Sequence, residues 1–175
     1  MSTDEISITG YVPGTLGRVT ELHGSYYATN WELPFYFEAK VAAELTEFLR
    51  RFDPAHDGLW LARVNGQTIG SIFIDGSAAE GEGARLRWFI IAPEYHGRGI
   101  GSRLMHEAMS FCQRMAFKKV YLTTFAGLDA ARHLYDKAGF RLTHEEHGAH
   151  LAGRPLTEQR LELVLAANEA ASTVS

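Results

Sequence analysis

Cysteine is all but missing. Cys112 stands alone among 175 residues, so the chain offers neither an internal disulfide nor a thiolate zinc site. An excess of positive charge is missing as well: 17 Lys and Arg face 21 Asp and Glu, and the net charge of -4 leaves no basic footprint for nucleic acid or an anionic membrane. The longest strongly apolar run, Trp88 to Ala92, is far short of the ~20 residues a membrane span requires, and Asp4 and Glu5 stand where a secretory signal would be basic. No repeat with a period of about 20 to 50 residues recurs, and no low-complexity tract divides the chain. These absences leave a soluble, cytoplasmic protein with no nucleic-acid or membrane partner. With 46% apolar and 11% aromatic residues it has the makings of one ordinary core, read as a single domain over 1–175, core about 5–166, with a frayed tail at 167–175.

Periodicity sets the order of elements. Ile6 and Ile8 before Pro13-Gly14 suggest a short strand, and Leu16, Val19, His23, Tyr26 and Tyr27 then recur at helical spacing despite Gly17 and Gly24. Phe37, Val41, Leu45 and Phe48 form the apolar stripe of a second helix after Pro34. Three strand candidates follow, Leu59 to Val64, Thr68 to Ile74 and Arg85 to Ile91, the first two joined by the hairpin signal Asn65-Gly66. Ile100, Leu104, Ala108, Phe111, Cys112 and Met115 mark a long helix. A strand from Val120 to Phe125, a helix from Asp129 to Ala138 closed by Gly139, and strands near Arg141 to His147 and Leu161 to Leu165 complete a mixed α+β chain.

The chemistry is concentrated in Ile91-Ala92-Pro93-Glu94-Tyr95-His96-Gly97-Arg98-Gly99-Ile100-Gly101-Ser102, a strand end running through a glycine-rich turn into a helix. Glycines at alternate positions let backbone N–H groups approach a ligand, and a helix N-terminus adds partial positive charge. The stretch reads as a phosphate or diphosphate cradle, or as an ordinary glycine-rich turn; spacing alone does not choose. Two common fingerprints fail. GxGxxG would need glycine where Ser102 or Leu104 stands, and a P-loop on Gly76 to Gly83 would need Lys after its last glycine position instead of the acidic pattern ending Glu82-Gly83.

His96-Gly97-Arg98-Gly99-Ile100-Gly101 after a strand, followed by Leu134-Tyr135-Asp136-Lys137-Ala138-Gly139-Phe140, resembles the acetyl-CoA signature of the GCN5-related N-acetyltransferases, the GNAT family. A narrower resemblance, to acetyltransferase domains that follow MarR-type winged helices in some bacterial regulators, rests on Tyr11-Val12-Pro13-Gly14, His23-Gly24 with Tyr27-Ala28, Ala130-Ala131-Arg132, and Glu145-Glu146 ahead of Leu156-Thr157-Glu158-Gln159. The winged helix itself is not in the sequence. The resemblance implies a mostly antiparallel, twisted sheet of about seven strands, splayed at its middle and flanked by about four helices. It implies acetyl-CoA as cosubstrate, bound by Phe89, Ile90 and Ile91 along the pantetheine, by His96, Gly97, Arg98, Gly99, Ile100, Gly101 and Ser102 around the diphosphate, and by Leu128, Arg132 and Tyr135. His96 replaces the usual Arg or Gln, and Leu128 stands where many members have Asn.

By the same resemblance Tyr135 is the acid that protonates the departing thiolate, although helical spacing alone makes it a core tyrosine. Tyr26, Tyr27, Trp31, Arg85 and Arg87 become candidates for the acceptor wall. No base carries over, since Arg85 occupies the position where some members have Glu; Glu21, His23, Glu32 and plain water all stay open. His144, His147 and His150 lack a metal-binding spacing, so no metal is expected, and Cys112 reads as buried packing. Alternation along the third strand puts Arg85, Arg87, Phe89 and Ile91 on one face. The two arginines there are either a carboxylate clamp for the acceptor or partners of Glu residues on the N-terminal helices. The expected activity is acetyl transfer to a primary amine of a small molecule or peptide, against the alternative of a non-catalytic acyl-CoA-binding module; a homodimer stays open.

Overall fold

The computed structural model describes residues 4–151 and 154–167, with side chains at all of these except 149–151 and 154. The tail expected to fray lies outside them from residue 168 on. Strands β1 (Ser7–Thr9), β2 (Gly58–Val64), β3 (Gln67–Asp75), β4 (Ala84–Ile91), β5 (Lys119–Phe125), β6 (Arg141–Leu151) and β7 (Arg154–Val164) make one sheet in the order β1-β2-β3-β4-β5-β7-β6. Every neighbouring pair is antiparallel except β4 and β5. Helices α1 (Thr15–Trp31), α2 (Phe35–Arg50), α3 (Ile100–Arg114) and α4 (Asp129–Ala138) complete the expected mixed architecture.

Two apolar layers hold the sheet between helices. On one face Val19, Val41, Leu45 and Phe48 of α1 and α2 pack on Leu59, Leu61, Phe73 and Trp88. On the other, Ile100, Leu104, Ala108 and Phe111 of α3 pack on Ile72, Ile74 and Leu86. The alternation of β3 explains both layers, because Phe73 faces one way and Ile72 and Ile74 the other. Gly24, which looked like a weak point in α1, has a packing reason: a Cβ there would lie 2.7 Å from the Glu38 carboxylate of α2, so glycine lets the two helices close. Asn65 and Gly66 both take positive φ, 48° and 78°, as the β2–β3 hairpin turn requires.

The strand β4 departs from the regular alternation. Phe73 faces Arg87 and Ser71 faces Ile90, so Trp88 and Phe89 together oppose the single residue Ile72. This is a bulge, with Trp88 at φ 44°. Trp88 therefore follows Arg87 onto the α2 face, where its ring meets Phe48 at 5.5 Å and Phe73 at 5.3 Å. Phe89 turns to the opposite face and meets Tyr135 at 5.9 Å. The arginines and Phe89 thus do not share a face, contrary to the alternation expected from the sequence. Burial of the Trp88 ring among aromatics and a 2.7 Å hydrogen bond from the Ser71 hydroxyl to the Trp88 carbonyl hold the unusual backbone.

Candidate active site

A cavity of about 880 Å³ opens where the sheet splits. β4 and β5 pair only through Ala84 with Val120 and Arg85 with Tyr121. Beyond that point β4 stays with β3 to Ile91, and β5 stays with β7 to Phe125. Two strand edges therefore face one another across a gap, each able to pair with an extended ligand.

One end of the gap is the glycine turn. Gly97 and Gly99 take φ 77° and 75°, a region that other residues enter only with strain, and an added Cβ at either would meet no atom of the chain within 4 Å. The side of the turn is open space, as a backbone cradle needs. The first hydrogen bond into α3 runs from Arg103 N–H to Gly99 O, so the N–H groups of Ile100, Gly101 and Ser102 precede the helical ladder. These groups suit a phosphate. Gly101 serves a different purpose from its neighbours: a Cβ there would come within 2.7 Å of Leu134, so it sets the approach of α4 to α3. His96 Nε2 donates to the Ile91 carbonyl at 2.8 Å and ties the turn to the end of β4.

Tyr135 lines the cavity from α4, 6% exposed. Burial, and secondarily Tyr27, raise its pKa above the ordinary phenol value, so the hydroxyl keeps its proton throughout the neutral range. Tyr27, pushed up to about 12 mainly by burial, faces the same space together with Tyr26. His23 is the one of the three candidate bases that the cavity includes. Its Nδ1 donates to the Val19 carbonyl at 2.8 Å, which leaves Nε2 without a proton, and burial lowers its pKa to about 4. Glu21 pairs with Arg18 at 2.9 Å and lines a separate groove, while Glu32 is the αL residue that ends α1.

Of the residues the resemblance assigned to acetyl-CoA, Phe89, Ile90, Ile91, His96, Gly97, Gly99, Ile100, Gly101, Ser102, Leu128 and Tyr135 line the cavity. Arg98 instead stacks over Tyr95 at 4.9 Å, and Arg132 is held by Asp136 at 2.9 Å and Gln159 at 3.3 Å. Of the candidates for the acceptor wall, Tyr26, Tyr27, Arg85 and Arg87 line it. The Trp31 indole lies instead over Gly127, 3.2 Å from where a Cβ would stand.

Sequence reasoning missed Lys40 and Glu44, an i,i+4 ion pair of α2 that lines the cavity. Glu44 also holds Arg87 at 2.8 Å. Burial alone would raise the Glu44 pKa, but Lys40, Arg87 and Arg85 outweigh it and keep the carboxyl below its usual range. Their spacing was legible, their direction toward the cavity was not. Ser71 and the bulge carried no sequence signal. Among the described residues no three His, Cys, Asp or Glu groups converge on a common point, and no helix is long and apolar enough to cross a membrane. His147 sits with Glu145 at 3.1 Å; the His150 side chain lies outside the described residues.

The acetyltransferase (GNAT) family model matches residues 21–140, which carry the gap, the turn and Tyr135. The chain belongs to the GNAT family. Among its curated relatives, the uncharacterized N-acetyltransferase YjgM of Escherichia coli is 31% identical over 88 residues, 50% of this chain and 52% of that protein. The uncharacterized N-acetyltransferase MJ1207 of Methanocaldococcus jannaschii is 26% identical over 110 residues, 61% of this chain and 48% of that protein. The matches thus span about half the length of these relatives. Among solved structures, yncA from Salmonella typhimurium, determined with its cofactor acetyl-CoA, superposes with a TM-score of 0.74 at 15% identity, covering 97% of this chain and 99% of that one. At that identity the likeness is one of GNAT fold.

Proposed function

We propose that this GNAT protein is an N-acetyltransferase that moves acetyl from acetyl-CoA to a primary amine by direct attack. The observation that carries the reading is the gap between β4 and β5, which runs from the open glycine turn at α3 past the buried hydroxyl of Tyr135. Backbone N–H groups from Gly97 to Ser102 hold the diphosphate, and the free edge of β4 pairs with the pantetheine amides. An N–H group at that edge then polarises the thioester carbonyl and bears the charge that develops on its oxygen.

Tyr135 faces the departing sulfur as a hydrogen-bond donor. Its phenol, above 10, gives its proton to a thiolate whose acid titrates near 8.5 only against about 2 kcal/mol or more, a small part of any acyl-transfer barrier. Solvent then restores the proton. On the opposite side the unprotonated Nε2 of His23 accepts a hydrogen bond from the attacking amine and selects its neutral form. With a pKa of about 4, His23 orients the amine; the proton itself leaves through water.

The test is an amine panel with free thiol as readout and a no-amine control for hydrolysis. Amine-dependent thiol release supports transfer. Acetyl-CoA binding without amine-dependent release across the panel would make the protein an acyl-CoA-binding module instead.

A further inference from the structure

The acceptor end of the cavity has an uneven charge arrangement. Arg87 is fully engaged: it pairs with Glu44 at 2.8 Å, approaches Asp75 at 3.8 Å and lies 4.1 Å over the Trp88 ring. It therefore holds β4 to α2, as one of the two sequence readings expected. Arg85, two residues away and also lining the cavity, has no carboxylate within ion-pair distance among the described residues; its guanidinium lies 6.0 Å from the centroid of the Tyr121 ring. Among the described residues its side chain makes one hydrogen bond, from Nη2 to the neutral hydroxyl of Thr123 at 3.2 Å, and its Nε is buried with no acceptor. The neighbouring carboxylates are already committed. Asp75, which faces Arg85 across the sheet, is taken by Arg51 and Ser77, and Glu44 by Lys40 and Arg87. Glu158 lines the cavity beside Phe125, four residues along β5 from Tyr121, the residue paired with Arg85.

Two guanidinium groups of like charge thus stand on one face of β4, only one of them in a carboxylate ion pair, and burial first and then Arg85 make Arg87 costlier to keep charged. A guanidinium with no carboxylate partner, held beside a hydroxyl in the cavity wall, can receive an anion through its Nη groups. We propose that the acceptor amine carries a carboxylate, bound by Arg85 with the Thr123 hydroxyl beside it. The planar fork of arginine matches a carboxylate and fixes the direction from which the amine approaches. This rests on the amine-acetyltransferase reading above and narrows its substrate class to amino acids and related amino carboxylates.

The experiment compares each of the common α-amino acids, β-alanine and 4-aminobutyrate with its own carboxamide as acceptor, in the wild type and in Arg85→Gln and Arg85→Lys. A charge-assisted pair should give at least one acid a kcat/KM about ten-fold or more above its amide. That ratio should fall to about one in Arg85→Gln and recover in part in Arg85→Lys, while the acetyl-CoA thermal shift persists in both. If no acid exceeds its amide, or the preference survives Arg85→Gln in a folded variant, the proposal is wrong. A second readout separates it from the catalytic reading: binding of N-acetylated acids and their amides to the protein with CoA, by calorimetry, needs no turnover. Equal binding of acid and amide overturns the Arg85 site even if the enzyme acetylates amines. Acid-selective binding without turnover upholds the site and overturns the catalysis.

Discussion

The two halves of the cavity are built from different material. The half that would hold acetyl-CoA is main chain: a free strand edge, glycines at positive φ and the first N–H groups of α3, with Tyr135 its principal functional side chain. The half that would hold the acceptor is side chain: the ion-paired Lys40, Glu44 and Arg87 and the rings of Tyr26 and Tyr27 line it, and Asp75 and Arg51 continue the ion-pair web behind the lining. A main-chain site depends on φ values and strand pairing and tolerates many substitutions. A side-chain site changes with each residue, so one scaffold can keep its donor and alter its acceptor.

The sharpest way to break this comparison is at Gly99. At about 100 times its dissociation constant acetyl-CoA stabilises a protein by about 2.7 kcal/mol, a rise of about 5 to 10 °C in Tm for a domain of this size. NADH should give none. Gly99→Val puts a branched residue at φ 75° and a side chain into the open flank of the turn, so the acetyl-CoA shift should vanish even where the unliganded variant still melts cooperatively. A full shift in Gly99→Val would remove the backbone cradle from the account.

Tyr135→Phe is next in size. The ring keeps its packing against Phe89 and Phe140, so the variant should fold and bind acetyl-CoA nearly as the wild type does. Turnover should fall by about 100-fold, the scale of a lost acid or hydrogen-bond donor at a leaving group. Unchanged turnover would return Tyr135 to the core and leave the thiolate to solvent.

The acceptor half is tested through His23 and pH. Its folded pKa of about 4 lies below the ordinary 6.5, so between these values the unfolded chain binds the extra proton. The stability this preserves is complete above pH 6.5 and is lost on acidification toward pH 4, about 3 kcal/mol over the whole window. His23→Asn, whose amide can still reach the Val19 carbonyl, lacks that titration. The unfolding free energy from urea titration should therefore drop by about 2 kcal/mol more in the wild type than in the variant between pH 7.5 and pH 4.5. Equal losses would mean that His23 titrates in the folded protein as it does in the unfolded chain, which would remove the buried, low-pKa imidazole from the acceptor half.

The difference in material also explains what the sequence disclosed. Glycines at 97, 99 and 101 and the run ending at Phe140 mark the donor half in the residue string, because main-chain sites need special residues at fixed spacing. Element order was readable for the same reason, from apolar stripes such as that of α3. The bulge at Trp88 was not, since it is fixed by packing against Phe48 and Phe73 from distant segments and has no local signature. That one extra residue reversed the faces of Phe89 and Ile91 relative to Arg85. Likewise the fates of Arg85 and Arg87 are indistinguishable in sequence; they part because Glu44 on α2 reaches only one of them.

The smallest effect belongs to His96, and it probes how purely main-chain the donor half is. His96 is exposed and its ring bonds the chain itself, Nε2 to the Ile91 carbonyl, which places it as a brace between the turn and the strand end. Removing one such exposed hydrogen bond costs about 0.5–1.5 kcal/mol of local order, with no loss of a ligand donor. His96→Ala should therefore weaken acetyl-CoA binding by less than about ten-fold, through a looser turn, and leave kcat unchanged. Calorimetric titration with CoA and with its dephospho and pantetheine fragments locates the loss: it should be the same for every ligand that carries the diphosphate and absent for pantetheine. A loss of 100-fold or more would mean that His96 releases Ile91 and grips the ligand directly, and the contrast between a backbone donor site and a side-chain acceptor site would fail at its first side chain.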